Sequence, residues 1–521
     1  MKENIRSNKE KLAINIVTSA VGKLVTLICG LIVPRLILQR FGSEYSGILG
    51  AATQFMNYAT ILTIGIAGPT RVALYNSLAA GDDEKTSGIL KATDIYMKKF
   101  SLVILAYTLV VMLVLPRVAH TTLSSQDVAL LVAIVGFLMF IEYFFSTARC
   151  TLLRSDQREY ITDIAIILCT IINCLVVLVL IKLGKDIFTV KFCSSLVFLL
   201  KPLLVELYIR GHYKIDRKAH PDTCALKERG AAAASSIANI VHDNVDLVLL
   251  SFFVDIKLVS VYTIYNLVIQ QLKFFMEIFT GSLEAGFGNI IARKDSQALR
   301  RNFKIYEFLI YAFVSVIFSC AFVLIVPFVR NYTSGVTDIN YIIPSFAFLM
   351  VLNGATYCIR QPYVTLVNAA GKYKETSRGA IIEAALNLVL SVILLWAIGF
   401  EGVVIGTIVA NIFRSVQYCV YAYGNLIDLK FSSAVKKVLW CIMNTLVICG
   451  LSELLLGRIS ATVASGVASG AFGFSGWGLW ILEGFITFLV ALVVTLLTAL
   501  FFFREELGNV KKFLGKERKS K

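Results

Sequence analysis

Ionisable and amide side chains interrupt two long apolar segments near the middle of this 521-residue sequence, 231–253 and 259–281. If the first segment is a helix with 100° per residue, its polar residues share an arc of about 100°; they are Ser235, Asn239, His242, Asp243 and Asp246. The second segment places along one stripe Asn266, Gln270, Lys273, Glu277, Thr280 and Glu284. Hydrocarbon offers such groups no partner, so both stripes predict a wet cavity inside a helix bundle.

Other charges fall deep inside apolar segments, and each needs a partner or water. Lys23 lies near the middle of the first segment, as Asp243 does in its own. Two pairings are open: Lys273 with Glu277 four residues away, and Lys23 with Asp243 or Asp246. Arg360 is expected to extend its head group to the membrane surface, because it lies near a segment end. Local ion pairs are expected for Glu142, Glu206 and Glu383.

The amino-acid composition indicates the class of protein. Hydrophobic residues make up 57% of the chain and charged residues 16%, well below a typical soluble domain, and the mean hydropathy is +0.76. We therefore predict an all-α polytopic membrane protein. The 11 cysteines are scattered without metal-ligand spacing and predict neither disulfides nor a zinc site. No metal or cofactor is expected.

Apolar runs of about 20 residues predict about fourteen transmembrane helices. They are 12–38, 44–66, 95–116, 127–149, 160–182, 187–209, 231–253, 259–281, 305–329, 339–361, 379–398, 402–424, 434–456 and 479–503. We expect an N-terminal lobe of six helices over 1–215 and a C-terminal lobe of six over 216–430. Residues 431–521 would then form two further helices and a basic cytoplasmic tail.

The distribution of positive charge predicts the orientation. Most of the 50 lysines and arginines fall in or beside the loops on one side, whereas the opposite loops hold only Arg40, Arg117, Lys182, Lys185, Lys257, Arg330 and Arg458. The positive-inside rule places both termini in the cytoplasm. Basic residues are spread over all the inner loops, which argues against nucleic acid as a partner and favours contact with anionic lipid headgroups, notably at Arg210–Arg229 and Lys511–Lys521.

An internal repeat relates the two predicted lobes. Tyr45 aligns with Tyr262 and Asp82 falls close to Asp295, while LLRSDQREYITDIAIILCTIINC resembles LVNAAGKYKETSRGAIIEAALNL. Each lobe has an even number of helices, so both run in the same direction, and a substrate site is expected between them. The first two helices of each lobe then line it, which adds Lys23, Gln54 and Asn57 to the candidate residues.

The sequence resembles a known family at several of these segments. GSEYSGILGAATQFMNYATIL, IVHDNVDLVLLSFFVDIKLVSVYTIYNLV and NAAGKYKETSRGAIIEAALNLVLSVILLWAIGFEGVVIGTIVANIFRS look like the polysaccharide-transporter branch of the multidrug/oligosaccharidyl-lipid/polysaccharide exporter superfamily. That branch contains the O-antigen and capsule repeat-unit flippases of bacterial inner membranes. The resemblance spans about 12–510. It implies two lobes of helices around a central cavity and a substrate carried on undecaprenyl diphosphate.

The resemblance implies a lipid-linked oligosaccharide flippase that moves repeat units from the cytoplasmic to the periplasmic leaflet for surface polysaccharide or lipopolysaccharide biosynthesis. For such a substrate, Lys23 and Lys273 would neutralise the diphosphate. Amides would contact the sugars, and these are Gln54, Asn57, Asn266 and Gln270. Asp243 or Asp246 would bind the coupling proton or cation. The expected partners are the lipid-linked oligosaccharide, membrane lipids and the polysaccharide polymerase machinery.

Two other classes of function remain open. A cation-coupled drug exporter of the same superfamily would favour an acidic, aromatic cavity. A membrane glycosyltransferase or ligase would need a large outer loop with catalytic groups, but the longest outer loop, around Gly457–Gly478, has neither an acid nor a histidine. No phosphate-binding glycine-rich ATPase motif is present, which argues against direct ATP drive.

Overall fold

The computed structural model describes residues 2–63, 67–216, 218–222, 232–468 and 476–509, and at some positions, including Ser235, the backbone alone. These residues form α-helices and no strands. The first nine helices are α1 (Lys2–Phe41), α2 (Ser43–Asn57), α3 (Ala67–Ala80), α4 (Asp83–Val118), α5 (Ser125–Ile141), α6 (Thr147–Ser155), α7 (Glu159–Lys182), α8 (Ile187–Val197) and α9 (Leu200–His212). The others are α10 (Ala232–Phe253), α11 (Ile256–Ala292), α12 (Ser296–Tyr332), α13 (Pro344–Ile359), α14 (Gln361–Ala369), α15 (Tyr373–Ile398), α16 (Glu401–Ala422), α17 (Phe431–Ala468) and α18 (Gly476–Phe502).

Several predicted spans consist of two helical pieces. A π-helical turn, Glu142–Ser146, joins α5 to α6, and a second, Tyr423–Ile427, follows α16. A 3-10 segment, Tyr58–Thr63, extends α2. Short side chains mark where other helices begin: the carboxylates of Asp82 and Asp295 accept hydrogen bonds from the backbone N–H groups of Lys85 and Ala298, both over 2.9 Å. Such caps satisfy donors that a helix start otherwise leaves without a partner.

The all-α polytopic prediction is confirmed. Within the described residues, ten helical segments are long and apolar enough to cross a membrane. The predicted spans around α2, α10, α11 and α13 fall outside that set; α2 and α13 contain only 15 and 16 residues. The count of about fourteen spans therefore stays a prediction.

Large apolar side chains cover the outside of many helices. Trp396 of α15 is 77% exposed and Phe501 of α18 is 81% exposed. Water disfavours exposed apolar surface of this extent, whereas acyl chains solvate it. The helices therefore present the surface expected of a protein embedded in lipid.

The chain divides into two compact units. The first unit comprises Met1–Thr263 with Gly335–Ile339. In it α1 packs on α7, α4 on α5, and α10 on α2. A Cβ atom at Gly47 of α2 would overlap the carbonyl oxygen of Ile256, so a glycine is required for this close approach of α2 to the start of α11.

The second unit comprises Ile264–Ser334 and Asn340–Lys521. Its most extensive helix pair is α15 with α16, and α12 packs against α13, α17 and α18. Glycines permit the α15–α16 approach: a Cβ at Gly406 would lie 2.5 Å from the hydroxyl oxygen of Ser391. The predicted division into lobes at 215 and 430 stays a prediction.

A wholly buried ion pair joins α12 to α17 inside the second unit. Lys437 of α17 donates to the carboxylate of Glu307 on α12, and both side chains are almost completely buried. The hydroxyls of Tyr363 and Tyr423 donate to the other oxygen of Glu307 over 2.7 and 2.6 Å. Tyr311 extends the network through its hydroxyl, 3.1 Å from that of Tyr363. Because Glu307 has partners on both oxygens, the buried charge is compensated.

Removing one member of this pair is expected to destabilise the protein. Lys437→Met should lower the free energy of unfolding by about 3–5 kcal/mol, because it leaves the Glu307 charge buried without its cation. Lys437→Met combined with Glu307→Gln should recover much of that loss. Thermal unfolding of purified protein in detergent measures both effects. Lys372→Ala, which breaks a solvent-exposed pair with Glu375, is the control and should leave the midpoint unchanged. Equal midpoints for Lys437→Met and wild type would contradict the structural role.

Candidate functional site

The two candidate coupling aspartates lie in different environments on α10. Asp246 is buried, with 4% of its surface exposed, and accepts a hydrogen bond of 3.0 Å from the hydroxyl of Tyr262. Asp243 is exposed. A separation of three residues turns them about 60° apart on a helix, which is enough for one to face a packed neighbour while the other does not. The carboxyl of Asp246 is therefore enclosed by the protein, whereas that of Asp243 is not.

Three amide side chains meet beside these aspartates. Asn57, at the end of α2, donates to Gln54 over 3.4 Å and to Asn244 of α10 over 3.3 Å. Asn244 in turn donates to the backbone carbonyl of Ile240 over 2.7 Å. Gln54 and Asn57 thus contact each other and Asn57 contacts α10, while their role in binding a substrate stays a prediction. The sequence analysis missed Asn244, although an amide beside His242 and Asp243 was a sufficient signal.

Lys23 is exposed on α1, the helix that packs against α7 and α2. Its position in the apolar part of a long helix agrees with the sequence-based placement. The pairing of Lys23 with Asp243 or Asp246 stays a prediction.

In the second unit, Tyr357 of α13 connects Lys273 and Glu277 of α11. The ammonium of Lys273 lies 4.6 Å from the centroid of the Tyr357 ring, a distance suited to a cation–π interaction. The Tyr357 hydroxyl donates to the carboxylate of Glu277 over 3.0 Å. Both residues thus contact Tyr357, an aromatic residue that the sequence analysis did not identify, and a direct pair between Lys273 and Glu277 stays a prediction.

The same ring also contacts Arg360, whose guanidinium carbon lies 4.4 Å from the centroid. Arg360 is 9% exposed and forms an ion pair with Glu383 of α15. The prediction that Arg360 extends to the membrane surface is therefore wrong, because Glu383 supplies a partner within the unit and removes the need for water. The expectation of a local pair for Glu383 is confirmed, as it is for Glu142 with Lys201 and Glu206 with Arg149, each over 2.6 Å.

Glu383 pairs with a second arginine as well. Nε of Arg414 on α16 lies 3.3 Å from its other oxygen, and Arg414 is 2% exposed. Asn411, one turn earlier, accepts from Arg360 over 3.2 Å and donates to Asn353 over 2.8 Å. Two cations around one carboxylate leave this buried cluster with a net positive charge near Lys273. The sequence contained the signal, since Asn353, Tyr357 and Arg360 recur at the spacing of one helix face.

The remaining two candidate residues lie one turn apart on α11. Gln270 donates to Asn266 over 3.4 Å, and Gln270 is exposed while Asn266 is partly buried. A bond of this length is weak, so both amides keep donors and acceptors for a ligand. Among the residues whose side chains are described, no group of three His, Cys, Asp or Glu is placed to hold a metal ion.

The arrangement offers charge and hydrogen bonding rather than a nucleophile with its base. Taken by itself, the first unit contains the amides of Gln54, Asn57 and Asn244 and the buried carboxyl of Asp246. Taken by itself, the second unit contains the amides of Asn266 and Gln270 and a group of cations that includes Lys273. Groups of this type bind an anionic or sugar-bearing ligand without changing its covalent bonds. This chemistry is typical of a carrier.

No protein-family model and no curated protein matches the sequence. Solved structures do match it. The lipid II flippase MurJ in an inward closed conformation superposes with a TM-score of 0.68 at 16% identity, over 94% of this chain and 100% of that one. An inward-facing multidrug resistance MATE family transporter of the MOP superfamily gives a TM-score of 0.57 at 14% identity, over 81% of this chain and 99% of that one. The eukaryotic MATE transporter AtDTX14 gives 0.55 at 14% identity, over 84% and 99%.

The chain therefore has the fold that lipid II flippases and MATE transporters of that superfamily share. At 14–16% identity the likeness concerns the fold and does not transfer the ligand of any one relative.

The burial of Asp246 leads to a test of ion coupling. A charge that crosses 100 mV exchanges about 2.3 kcal/mol, enough to bias a carrier between two states. Asp246→Asn removes the charge but keeps an oxygen that Tyr262 can donate to. We expect transport by this variant to lose its dependence on pH and membrane potential, and Asp243→Asn to have a smaller effect because its side chain is exposed. Transport in vesicles under imposed gradients measures both.

Two outcomes would decide against coupling. Normal gradient dependence in both asparagine variants would exclude a role for either aspartate. Recovery of activity when Lys23→Met is added to an inactive Asp243→Asn or Asp246→Asn variant would identify a fixed ion pair instead.

Proposed function

We propose that this protein is a flippase that moves undecaprenyl-diphosphate-linked oligosaccharide repeat units from the cytoplasmic to the periplasmic leaflet. The observation that carries the proposal is the full-length likeness to a lipid II flippase, which extends over 94% of this chain. The MATE transporters use nearly all of their own length to cover 81–84% of it. The longer match to the lipid II flippase favours the flippase over the drug exporter.

The chemistry of the candidate residues fits this cargo. A diphosphate carries roughly two negative charges, and removing them from water without cations costs many kcal/mol. We assign Lys23 of the first unit and Lys273 of the second to this headgroup. The positive cluster of Arg360 and Arg414 around Glu383 lies in the same unit as Lys273 and adds to the favourable potential.

The sugars would interact with amides, because sugar hydroxyls both donate and accept hydrogen bonds. Gln54 and Asn57 in the first unit and Asn266 and Gln270 in the second are the proposed contacts. The polyprenyl tail needs no pocket of its own, since it is soluble in the bilayer. These contacts bind the headgroup and the sugars without any covalent step, so we propose a carrier and not an enzyme.

A cation-coupled drug exporter is the second candidate. The buried Asp246 and the fold shared with MATE transporters favour it. Extrusion of organic cations from cells, with no defect in surface polysaccharide after deletion of the gene, would support the exporter over the flippase.

The proposed setting is a bacterial cytoplasmic membrane with both termini in the cytoplasm. The product of flipping would then be consumed by polysaccharide polymerase machinery on the outer side, in a capsule or lipopolysaccharide pathway. The basic segments Arg210–Arg229 and Lys511–Lys521 would contact anionic lipids; residues 217, 223–229 and 511–521 lie outside the described residues.

Removing the two candidate cations tests the cargo. Lys23→Ala and Lys273→Ala should each weaken headgroup binding by about 2–5 kcal/mol if the site is dry, and less if it is wet. Surface polysaccharide should fall while the protein remains in the membrane. Lys→Arg at either position should preserve much of the activity. Periplasmic accessibility of the lipid-linked repeat unit, normalised to protein abundance, is the measurement.

A structural role for Lys273 predicts another pattern. If Lys273 compensates the charge of Glu277, Lys273→Ala would reduce abundance, and Lys273→Ala with Glu277→Ala would restore it. Full flipping by the Lys23→Ala, Lys273→Ala double variant would remove both residues from the headgroup site.

The orientation has its own test. Lys294 lies in the exposed turn between α11 and α12, and Lys185 lies in the exposed turn between α7 and α8. In a background without the 11 native cysteines, Lys185→Cys should react with an impermeant thiol reagent in intact cells. Lys294→Cys should react only after permeabilisation, because positive loops stay inside. The reverse pattern would overturn the orientation.

A further inference from the structure

A polar cavity lies within the first unit, and none of the candidate carrier residues lines it. It has a volume of about 890 Å³ and opens between α4, α6 and α9. Its lining continues into the segment after α9, at Tyr213 and Asp216. It is close to the cytoplasmic ends expected for these helices, where acyl chains give way to headgroups.

A ladder of alternating charges crosses this cavity. Asp94 of α4 pairs with Lys98 over 2.7 Å and with Arg149 of α6 over 2.9 Å. Arg149 also pairs with Glu206 of α9 over 2.6 Å, and Glu206 pairs with Arg210 over 2.8 Å. The ladder therefore joins all three helices and begins and ends with a cation.

The ladder has more positive than negative charge, since two carboxylates alternate with three cations. Lys91, a further lining residue one turn before Asp94, has no ion pair among the described residues. The carboxylate of Asp216 also lines the cavity but accepts the backbone N–H of Lys218 over 2.7 Å. Burial, and then the hydrogen bond of 2.6 Å to Asp156, raise the pKa of Tyr213, so its phenol stays neutral. With Lys91 and Asp216 counted, four cations and three carboxylates line the cavity, which leaves an excess of one positive charge.

Apolar side chains form another part of the lining and remain exposed. Ile95 is 37% exposed, Phe145 42% and Leu203 58%, and all three line the cavity beside the ladder. A ligand that contacts both the charged and the apolar lining residues must combine a negative headgroup with hydrocarbon. A soluble anion leaves the apolar lining residues in water, and a neutral lipid leaves the excess charge without a counter-ion.

We propose that this cavity binds an anionic diacylphospholipid, with the phosphodiester between Lys91 and Arg210 and the acyl chains against Ile95, Phe145 and Leu203. The site is distinct from the residues assigned to the cargo and does not depend on the identity of that cargo. The bound lipid joins α4, α6 and α9 at the membrane surface. Arg149 holds the ladder together and needs no direct contact with the lipid.

Lipid binding to the purified full-length protein tests the site. The protein in detergent micelles is titrated with dioleoyl phosphatidylglycerol or dioleoyl phosphatidylcholine, and native mass spectrometry counts the adducts. Phosphatidylglycerol should bind more tightly. Lys91→Gln should weaken it about fivefold, and Lys91→Gln with Arg210→Gln about 25-fold, if each cation contributes about 1 kcal/mol. Lys99→Gln is the matched control, because Lys99 is an exposed cation on α4 that does not line the cavity.

Each alternative gives a different result. Equal affinity for the two lipids, or an equal loss in Lys99→Gln, overturns the site. Retention of glycerol 3-phosphate as tight as that of phosphatidylglycerol, unaffected by Leu203→Asn, indicates a soluble anion and overturns the lipid assignment. Lys91→Gln leaves every ladder pair intact, so an unchanged unfolding midpoint without lipid shows that its effect is on binding. Arg210→Gln still leaves Glu206 paired with Arg149.

Discussion

An ionised group inside an apolar helix bundle must meet an opposite charge or water, and this constraint accounts for much of the structure. Glu307 meets Lys437 and two tyrosine hydroxyls, and Glu383 lies between Arg360 and Arg414. Glu307 and Lys437 join helices 130 positions apart in the sequence, whereas Glu383 and Arg414 join two consecutive helices. Loss of any one partner would leave a buried charge without full compensation, so the packing of these helices depends on keeping the pairs together.

The all-α polytopic class could be predicted from the sequence, because hydrophobic length is a property of single segments. The repeat was also legible, and the structure supplies local matches for it. Asp82 and Asp295 cap α4 and α12 with nearly the same backbone angles. Gln157 and Gly371 both take a positive φ in the turns before α7 and α15, and Gly184 and Gly399 do so after them. These positions form helix caps and turns, which depend on residues close together in the sequence and can therefore be recognised from it.

The pairings between helices were less accessible. Sequence spacing placed Lys273 and Glu277 on one face but gave no indication of Tyr357, which comes from another helix. The prediction for Arg360 was wrong for the same reason. The sequence shows that Arg360 lies near a segment end, but it does not show that Glu383 lies beside Arg360 in the folded protein. Asn244 lay beside the predicted stripe of α10, and only the packing of α2 shows that its amide faces Asn57. A polar stripe identifies one face of a helix. Which other helix packs against that face depends on the tertiary structure and cannot be read from the spacing.

The separation of Glu307 from Lys437 has a consequence for biogenesis. The two residues are 130 positions apart, and Glu307 is synthesised first. At translation rates of about 5–20 residues per second, α12 reaches the membrane about 7–25 seconds before its cation exists. During that interval the carboxyl must stay protonated, remain near the translocation machinery or draw water into the bilayer. A chain that stops before α17 lacks Lys437, so Glu307 retains the hydroxyls of Tyr363 and Tyr423 but never gains its cation.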